Sequence, residues 1–236
     1  MAFQVFSEGM VLRDSGLRLE KLLGRGGQAE VWRCADLRIP GRTVAAKLLA
    51  VPMVERSRTS FKQERHRMER EIEHNARVIH DNVVRIYSPI AEILDNDFLV
   101  TGFVMELSPW GDSTATLDIR QRSFQGTLSQ YMRDSMPFAL NFLVQLARGL
   151  RAIQQHDLVH SDIKPANILC FPMDGPPYVR LKLTDFGMTT LAGEPSDGAY
   201  GGTPPYMPPE QAGGEGVSSC IQRKPRRSIA RVRRGT

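Results

Sequence analysis

Short apolar runs separated by turn-forming residues open the chain. Between positions 17 and 49, the runs LRLEKLL, AEVWRC and TVAAKLL are broken by GRGG and IPGR. Runs of this length bounded by Gly and Pro are typical of antiparallel strands joined by turns. Two later runs, VVRIYSPI at 83–90 and DFLVTGFVMEL at 97–107, predict two more strands. The first part of the chain is therefore expected to form a small β-sheet.

A helix is predicted at 58–79, between these two groups of strands. The segment is dense in Arg and Glu, as on the solvent-facing surface of a helix. Its apolar residues recur at spacings of three and four, which is the period of one helix face: Met68, Ile72, Ala76 and Ile79. We therefore expect an amphipathic helix here.

The second part of the chain has a different pattern. Residues 108–126 are rich in Ser, Thr and Gly and predict a loop, and a helix is predicted to start at 127–133. A clearer helix is predicted at 137–155, where a proline precedes an apolar stripe of Phe138, Phe142, Leu143, Leu146, Leu150 and Ile153. Short strands are predicted at 158–160, 168–171 and 179–184, before a Gly/Pro-rich loop at 187–216. A mostly β part followed by a mostly α part indicates an α+β fold.

The net charge of +5 comes from one end of the chain. Residues 221–236 hold seven Lys/Arg and no acid, which leaves 24 basic and 26 acidic residues in the first 220. A nearly neutral body lacks the broad basic face of nucleic-acid-binding domains, so no nucleic-acid partner is expected. The tail at 217–236 is expected to be disordered. A non-native end of a truncated product and a targeting signal for the nucleus or an anionic membrane remain alternatives for it.

Cysteine usage and hydropathy predict a cytoplasmic protein. Cys34, Cys170 and Cys220 are widely spaced and form no CxxC pair, so neither a disulfide framework nor a zinc site is expected. No apolar run is long enough to span a bilayer, and no signal segment opens the chain, so no transmembrane segment is expected.

Two features in the predicted sheet indicate phosphate chemistry. The sequence GRGGQAEV at 24–31 puts glycines in a turn between two strands, where backbone amides can approach phosphates closely. Glycine-rich hairpins also occur for purely steric reasons. Sixteen residues after Val31, however, VAAK places Lys47 inside a strand, where a cation is costly without an anionic partner. The helix at 58–79 can supply the carboxylate.

Together with three later motifs, these features resemble the protein kinase family. HSDIKPAN at 160–167, TDFG at 184–187 and PPE at 208–210 follow the glycine-rich turn and VAAK in the order of the kinase signature set. The resemblance implies a two-lobed, protein-kinase-like α+β fold. It divides the chain into an N-terminal extension at 1–16, a small lobe at 17–107 with an antiparallel sheet and one helix, and a mostly α large lobe at 108–216.

The resemblance implies a set of catalytic and metal-binding residues, with ATP and Mg²⁺ as cofactors. Lys47 would hold the α- and β-phosphates and pair with a helix Glu. Glu71 is expected to be that residue because it lies nine residues before His80 of HDNVVRI, although a solvated surface ion pair is the commoner role of a Glu on such a helix. The other implied roles are those of a proton acceptor, a phosphoryl-steadying lysine and two metal ligands: Asp162, Lys164, Asn167 and Asp185.

The nucleotide site implied by the resemblance has three parts. The glycines that would approach the phosphates are Gly24, Gly26 and Gly27. The apolar residues that would enclose the adenine, and that could equally be ordinary core, are Leu23, Val31, Ala45, Met105 and Leu169. The backbone from Glu106 to Ser108 would bond the adenine edge.

Two motifs resemble the Ser/Thr class of kinases rather than tyrosine kinases. These are the lysine of DIKPAN and the segment GGTPPYMPPE, so the expected partner is a protein with a Ser or Thr acceptor. In this class the Thr of the second motif, here Thr203, contacts the catalytic Asp and Lys.

Three features depart from the kinase pattern, two at single positions and one in length. Ala29 replaces the third glycine of the phosphate loop, and Ser161 replaces the catalytic-loop Arg that reads a phosphorylated activation segment. The second change predicts that phosphorylation of Thr189, Thr190, Ser196 and Tyr200 is not required. Only 26 residues follow Glu210, so the large lobe is expected to be truncated and incomplete.

Two functions remain open at this point. The first is a protein serine/threonine kinase that transfers the γ-phosphoryl group of ATP to Ser/Thr hydroxyls. The alternative is a truncated kinase-like fragment or pseudokinase that binds nucleotide or a partner with little or no turnover.

Overall fold

A computed structural model gives the fold of the chain. The structure describes residues 5–26, 29–53, 59–95, 97–119, 124–133, 135–191 and 203–206. The tail at 217–236, predicted to be disordered, and the PPE motif at 208–210 lie outside the described residues.

A six-stranded antiparallel sheet occupies the first part of the chain. Its spatial order is β1-β2-β3-β4-β6-β5. The strands are β1 (Val11–Leu12), β2 (Leu17–Gly26), β3 (Ala29–Asp36), β4 (Thr43–Pro52), β5 (Ile86–Ile93) and β6 (Phe98–Met105). The prediction of three antiparallel strands between positions 17 and 49 is therefore confirmed.

The prediction of a strand at 83–90 is wrong at its start. Strand β5 begins at Ile86, and the preceding valines turn away from the sheet. Val83 forms an isolated parallel bridge with Leu183, and the Val84 amide donates to the Leu183 carbonyl at 2.8 Å. Hydrogen bonding to a distant strand thus overrides the local apolar pattern.

Strand β4 is buried on both faces because it lies between two apolar clusters. Val44, Ala46 and Leu48 belong to the cluster on the outer face of the sheet. Ala45 and Leu49 alternate with them and belong to the cluster beneath the long helix. Side chains alternate across a strand, so Lys47, between Ala46 and Leu48 in sequence, points to the helix side.

Helix α1 (Thr59–Arg77) covers that side of the sheet. Met68 is buried in the cluster beneath it, as predicted, and Glu71, three residues on, is buried too. The predicted apolar stripe is wrong further along, because Ala76 is exposed and Ile79 lies beyond the helix with 80% of its surface exposed. An α-helix has 3.6 residues per turn, so residues spaced by four gradually rotate away from the buried face. The buried residues toward the end of this segment are therefore Asn75 and Val78, not Ala76 and Ile79.

A short hairpin contradicts the prediction of a loop at 108–126. Strands β7 (Thr116–Ile119) and β8 (Phe124–Thr127) pair as a two-stranded antiparallel sheet. Each strand is only four residues long and lies in or next to a stretch rich in Ser, Thr and Gly, which explains the error.

Two helices follow the hairpin. Helix α2 (Leu128–Arg133) lies within the segment where a helix start was predicted, and α3 (Met136–Gln154) matches the predicted helix and has Pro137 in its first turn. Phe142 and Ile153 of the predicted stripe are buried, but Leu143 is exposed.

A buried amide network holds α3 against the strands that follow. Gln145 Oε1 accepts from Asn82 Nδ2 at 3.1 Å and from the Leu181 amide at 2.8 Å. Its Nε2 donates to the Val179 carbonyl at 3.0 Å. Buried amides are stable only when their hydrogen bonds are satisfied. This network therefore fixes the distance between α3 and the strand that contains Val179 and Leu181.

The remaining strands form two small sheets beneath α3. They are β9 (Leu158–Val159), β10 (Ile168–Pro172), β11 (Val179–Leu183) and β12 (Thr190–Leu191), with β10 paired to β11 and β12 to β9. Short 3₁₀ turns at Pro165–Asn167, Phe186–Met188 and Pro204–Tyr206 connect to them. β12 and the turn at Pro204–Tyr206 fall within the stretch predicted to be a loop at 187–216, and the turn at Phe186–Met188 overlaps its start.

The first part of the chain thus forms a sheet with one long helix, and the second part contains the other helices and small two-stranded sheets. The expected two-lobed α+β fold is confirmed. Among the helices of the described ranges, none has both the length and the apolar character needed to cross a membrane.

We predict that Gly102→Ala in β6 destabilises the fold and displaces the strand that carries Lys47. A Cβ at position 102 would lie 2.0 Å from the Lys47 carbonyl oxygen, which is backbone and cannot rotate away. The expected loss is about 3 kcal/mol in the free energy of unfolding, measured by urea denaturation. Gly175→Ala is the matched control, since a Cβ there meets no atom within 4 Å. Equal stabilities of the two variants would contradict the close strand packing at Gly102.

Candidate active site

An ion triad forms where β4, α1 and the TDFG segment meet. Lys47 Nζ lies 2.9 and 2.7 Å from the two carboxylate oxygens of Glu71 and 3.0 Å from Asp185 Oδ1. Glu71 also accepts a hydrogen bond from the Phe186 backbone amide. The structure thus brings together three residues that the sequence singled out separately.

The triad perturbs the pKa of each member. Burial by itself would lower the pKa of Lys47, but the carboxylates of Glu71 and Asp185 outweigh burial and hold that pKa above its usual value. Burial by itself would raise the pKa of Asp185, but Lys47 outweighs it and the pKa is lowered. Burial raises the pKa of Glu71, against the opposing effect of Lys47. Lys47 and Asp185 are therefore both held in their charged forms.

The backbone around Asp185 is fixed by the buried residues beside it. Asp185 has a left-handed conformation, with φ 66° and ψ 75°. Phe186 is buried and lies 5.3 Å, between ring centroids, from the ring of His160. His160 Nε2 lies 2.9 Å from the Thr184 carbonyl oxygen, and burial lowers the pKa of this histidine, which favours the neutral ring.

A second polar cluster surrounds Asp162 in the loop after β9. Lys164 Nζ lies 2.7 Å from Asp162 Oδ2. Asn167 Nδ2 donates to Asp162 Oδ2 at 3.1 Å and to the Asp162 carbonyl at 2.9 Å. The 3₁₀ turn at Pro165–Asn167 brings the asparagine back toward the aspartate. Two residues of the hexapeptide DIKPAN thus converge on the buried carboxylate of its first residue, Asp162.

Thr203 joins this cluster from a distant part of the chain. Its amide and its hydroxyl donate to Asp162 Oδ1 at 3.2 and 3.1 Å. Lys164 Nζ donates to the same hydroxyl oxygen at 3.0 Å. Both oxygens of Asp162 are therefore held by hydrogen bonds, which fixes the orientation of the carboxylate.

Asn167 and Asp185 have the donor chemistry that Mg²⁺ requires. Because the Asn167 amide nitrogen is engaged by Asp162, its Oδ1 is the atom oriented to serve as an acceptor. Asp185 uses Oδ1 toward Lys47, which leaves Oδ2 for a cation. A carboxylate and an amide oxygen suit a hard cation that keeps waters and phosphate oxygens as its other ligands, so these residues fit the ion.

Most of the predicted adenine-enclosing residues lie in one apolar cluster. Ala45 and Met105 are buried in it, and Val31 and Leu169 pack against it as partly buried residues. Leu23 differs, because 47% of its surface is exposed and it does not belong to the cluster. The other four residues, on β3, β4, β6 and β10, thus form one apolar surface, called the apolar slot below, against which an adenine ring could pack.

The predicted connector at 106–108 is engaged in unexpected contacts. The Glu106 amide donates to the Arg85 carbonyl at 3.0 Å, so this donor is directed away from the apolar slot. Ser108 Oγ donates to the carbonyls of Gly111 at 2.9 Å and Cys170 at 2.6 Å. The connector is thereby tied to the segment after it and to β10.

The glycines of the phosphate loop lie at the turn end of the β2–β3 hairpin. Gly24 pairs with Val31, and Gly26 pairs with Ala29. A Cβ at either glycine would meet no atom within 4 Å, so the space there is open on the side-chain face. Gly27 lies outside the described residues.

Sequence reasoning missed a lysine on β11. Lys182 Nζ lies 2.7 and 2.6 Å from the carboxylate oxygens of Glu106. The alternation of VRLKL, in which Val179, Leu181 and Leu183 are buried, was the available signal that Lys182 points to the opposite face.

The sequence matches a family model and several named relatives. The model described as "Protein kinase domain" matches residues 17–221. The chain is 29% identical over 207 residues to the serine/threonine-protein kinase PknA of Mycobacterium tuberculosis, which covers 85% of this chain and 42% of that protein. It is 30% identical over 220 residues to PkaA of Streptomyces coelicolor, covering 86% of this chain and 36% of that protein.

A third relative, PknA of Corynebacterium glutamicum, is 32% identical over 207 residues, covering 86% of this chain and 39% of that protein. The chain thus spans about two fifths of the length of these curated relatives. The family model covers most of this chain, and all three relatives are named as serine/threonine kinases. The chain therefore belongs to the protein kinase domain family.

Proposed function

We propose that this chain transfers the γ-phosphoryl group of ATP to Ser or Thr hydroxyls of a protein, with Mg²⁺ as cofactor. The observation that carries the proposal is the buried Asp162 carboxylate, which Lys164, Asn167 and Thr203 hold in one orientation. A general base must be positioned before its pKa matters, and this cluster meets that condition.

Nucleotide binding is assigned to the apolar slot and the ion triad. Adenine would lie between Ala45, Met105 and Leu169, with the connector beside it. Lys47 would contact the α- and β-phosphates, held in place by Glu71. A charged, preoriented ammonium stabilises phosphate without having to reorganise when the nucleotide arrives.

Asp162 would accept the proton of the acceptor hydroxyl. As that oxygen attacks the γ-phosphorus, the new O–P bond forms while the bond from phosphorus to the β–γ bridging oxygen breaks, and ADP leaves with the electron pair. Lys164, which lies 2.7 Å from Asp162, would stabilise the charge on the transferring group. Phosphoryl transfer asks the protein mainly for positioning and charge, and these residues supply both.

Asn167 and Asp185 would hold the metal. When bound there, Mg²⁺ would supply positive charge that offsets the negative charge of the phosphates. The chain's contribution is to fix both ligands, through the bond from Asn167 to Asp162 and the ion pair between Asp185 and Lys47.

The kinase activity is proposed not to require phosphorylation of the activation segment, as expected from Ser161 in the sequence. Ser161 has a left-handed φ of 62°, and its Oγ donates to the Val159 carbonyl at 3.3 Å. A serine at this position offers no cation to a phosphate, which supports activity without phosphorylation of the activation segment. Thr189 is buried, so it is a poor acceptor for another kinase.

The alternative of a fragment with little turnover is not favoured by the similarity to named serine/threonine kinases. The expectation of no nucleic-acid partner stays a proposal. Free buried thiols at Cys34 and Cys170, together with ATP as donor, support the cytoplasm as the proposed location.

We predict that Asp162→Asn lowers phosphate transfer by about a hundredfold or more, because the amide cannot accept the hydroxyl proton. The measurement is transfer of labelled γ-phosphate to a generic protein substrate, with and without EDTA. Asp157→Asn is the matched control, since Asp157 is exposed in the preceding turn.

Wild-type transfer that survives EDTA, or equal rates in wild type and Asp162→Asn, would contradict the proposed function. Both variants must first have a cooperative thermal transition, which separates lost chemistry from lost folding.

We predict that Thr203→Val lowers kcat about tenfold, since it removes two hydrogen bonds that orient Asp162 and Lys164. Thr203→Ser keeps the hydroxyl and should restore most of the rate. The measurement is kcat at saturating ATP and substrate. A Ser variant as slow as the Val variant would mean that the methyl group, not the hydroxyl, matters here.

A further inference from the structure

One ion pair joins the connector to the strand that leads into TDFG. Lys182 on β11 and Glu106 in the connector meet through two short contacts of 2.7 and 2.6 Å. Their side chains are only 13% and 15% exposed. The pair is therefore shielded from the solvent that weakens most surface ion pairs.

Glu106 is also bound on its other side. Its Oε1 accepts from the Arg85 amide at 2.7 Å, and its own amide donates to the Arg85 carbonyl at 3.0 Å. Glu106 thus bonds through both backbone and side chain to the segment that precedes β5. With Lys182 added, three stretches of chain that are distant in sequence are held at one residue.

Lys182 lies next to Leu169, one of the residues of the apolar slot. It pairs directly with Leu169 across the β10–β11 hairpin, so both side chains project from the same face. Its ammonium also lies 4.8 Å from the centre of the Phe171 ring. Three residues further along the chain is Asp185, a member of the ion triad.

We propose that the pair of Lys182 and Glu106 is a positioning device that sets the connector backbone at the distance from Leu169 that adenine requires. The proposal rests on the proposed function, because it assigns the adenine to this slot. With the connector fixed on one side and Leu169 on the other, the slot keeps its width before nucleotide arrives. Preorganisation of this kind lowers the cost of ordering the site on binding.

A purely stabilising role does not account for this placement. A shielded ion pair is weak evidence for stability, because the loss of solvation offsets much of the attraction between the charges. The pair links the connector to β11, which is hydrogen-bonded to the strand of Leu169, and this placement instead indicates control of geometry. Another cation on the same face of β11 supplies the comparison: Arg180 lies 3.8 Å from Asp81 in an exposed pair.

The test compares five variants of the whole chain with the wild type. Lys182→Met and Glu106→Gln each remove one charge, and their double variant removes both. Lys182→Arg keeps the cation, and Arg180→Met is the matched control on the same strand. Two quantities are measured: the dissociation constant for ADP, which needs no turnover, and KM for ATP and kcat with a generic protein substrate.

The expected result is a rise of about tenfold in KM for ATP and in the ADP dissociation constant for Lys182→Met and Glu106→Gln, with a smaller change in kcat. The double variant should resemble each single variant, because the two residues act as one unit. Lys182→Arg should restore most of the affinity, and Arg180→Met should match the wild type.

Two outcomes would overturn the inference. Unchanged nucleotide affinity with only a lower thermal midpoint would make the pair structural, and a higher kcat at unchanged affinity would make it a restraint on movement instead. A wild type that shows no Asp162-dependent transfer would fail the proposed function separately. The ADP measurement still reports on the slot in that case, so the two failures can be distinguished.

Discussion

The Lys47 ammonium can be buried beneath α1 only because two carboxylates meet it there. One comes from α1 and the other from the TDFG segment, which is 138 residues away from Lys47 in sequence. A lysine on the inner face of a sheet without such partners would lose its charge or displace its strand. The ion triad therefore constrains how the sheet, the helix and the second part of the chain fit together.

Other contacts at the site can be understood from this constraint. Glu71 reaches Lys47 because Met68 and Ile72 on the same helix pack against the apolar cluster of the sheet. Asp185 reaches it because Phe186 is buried next to His160 and its amide is bonded to Glu71. Gly187 leaves the room that the two carboxylates need, since a Cβ there would lie 3.2 Å from Asp185 and 3.4 Å from Glu71.

Much of this arrangement was predictable from the sequence, and the reasons differ from element to element. The strands of the sheet could be predicted because apolar runs bounded by Gly and Pro are local signals. The residues around Asp162 could be named because their motif is contiguous in sequence. The choice of Glu71 among the acidic residues of α1 rested on its spacing to His80, and the structure places its exposed neighbours Glu69 and Glu73 in other ion pairs.

The parts that sequence reasoning missed depend on tertiary contacts. The β7–β8 hairpin has strands of only four residues, too short to give a clear pattern, and β5 begins late because Val83 and Val84 bond to Leu183. The pair of Lys182 and Glu106 joins residues 76 positions apart, and no local pattern marks either one as the partner of the other. Leu23 fits the kinase pattern in sequence, yet it remains exposed because it lies near the turn end of the β2–β3 hairpin.

The central claim is that Glu71 sets the position of Lys47, and Glu71→Gln tests it most directly. The amide keeps the size of the side chain but removes the charge that anchors the ammonium. Glu73→Gln is the control, because Glu73 lies on the same helix in an exposed pair with Arg77. The account predicts that kcat/KM for ATP falls about a hundredfold in Glu71→Gln and stays at the wild-type value in Glu73→Gln. Equal values in Glu71→Gln and wild type, with both folded, would contradict it.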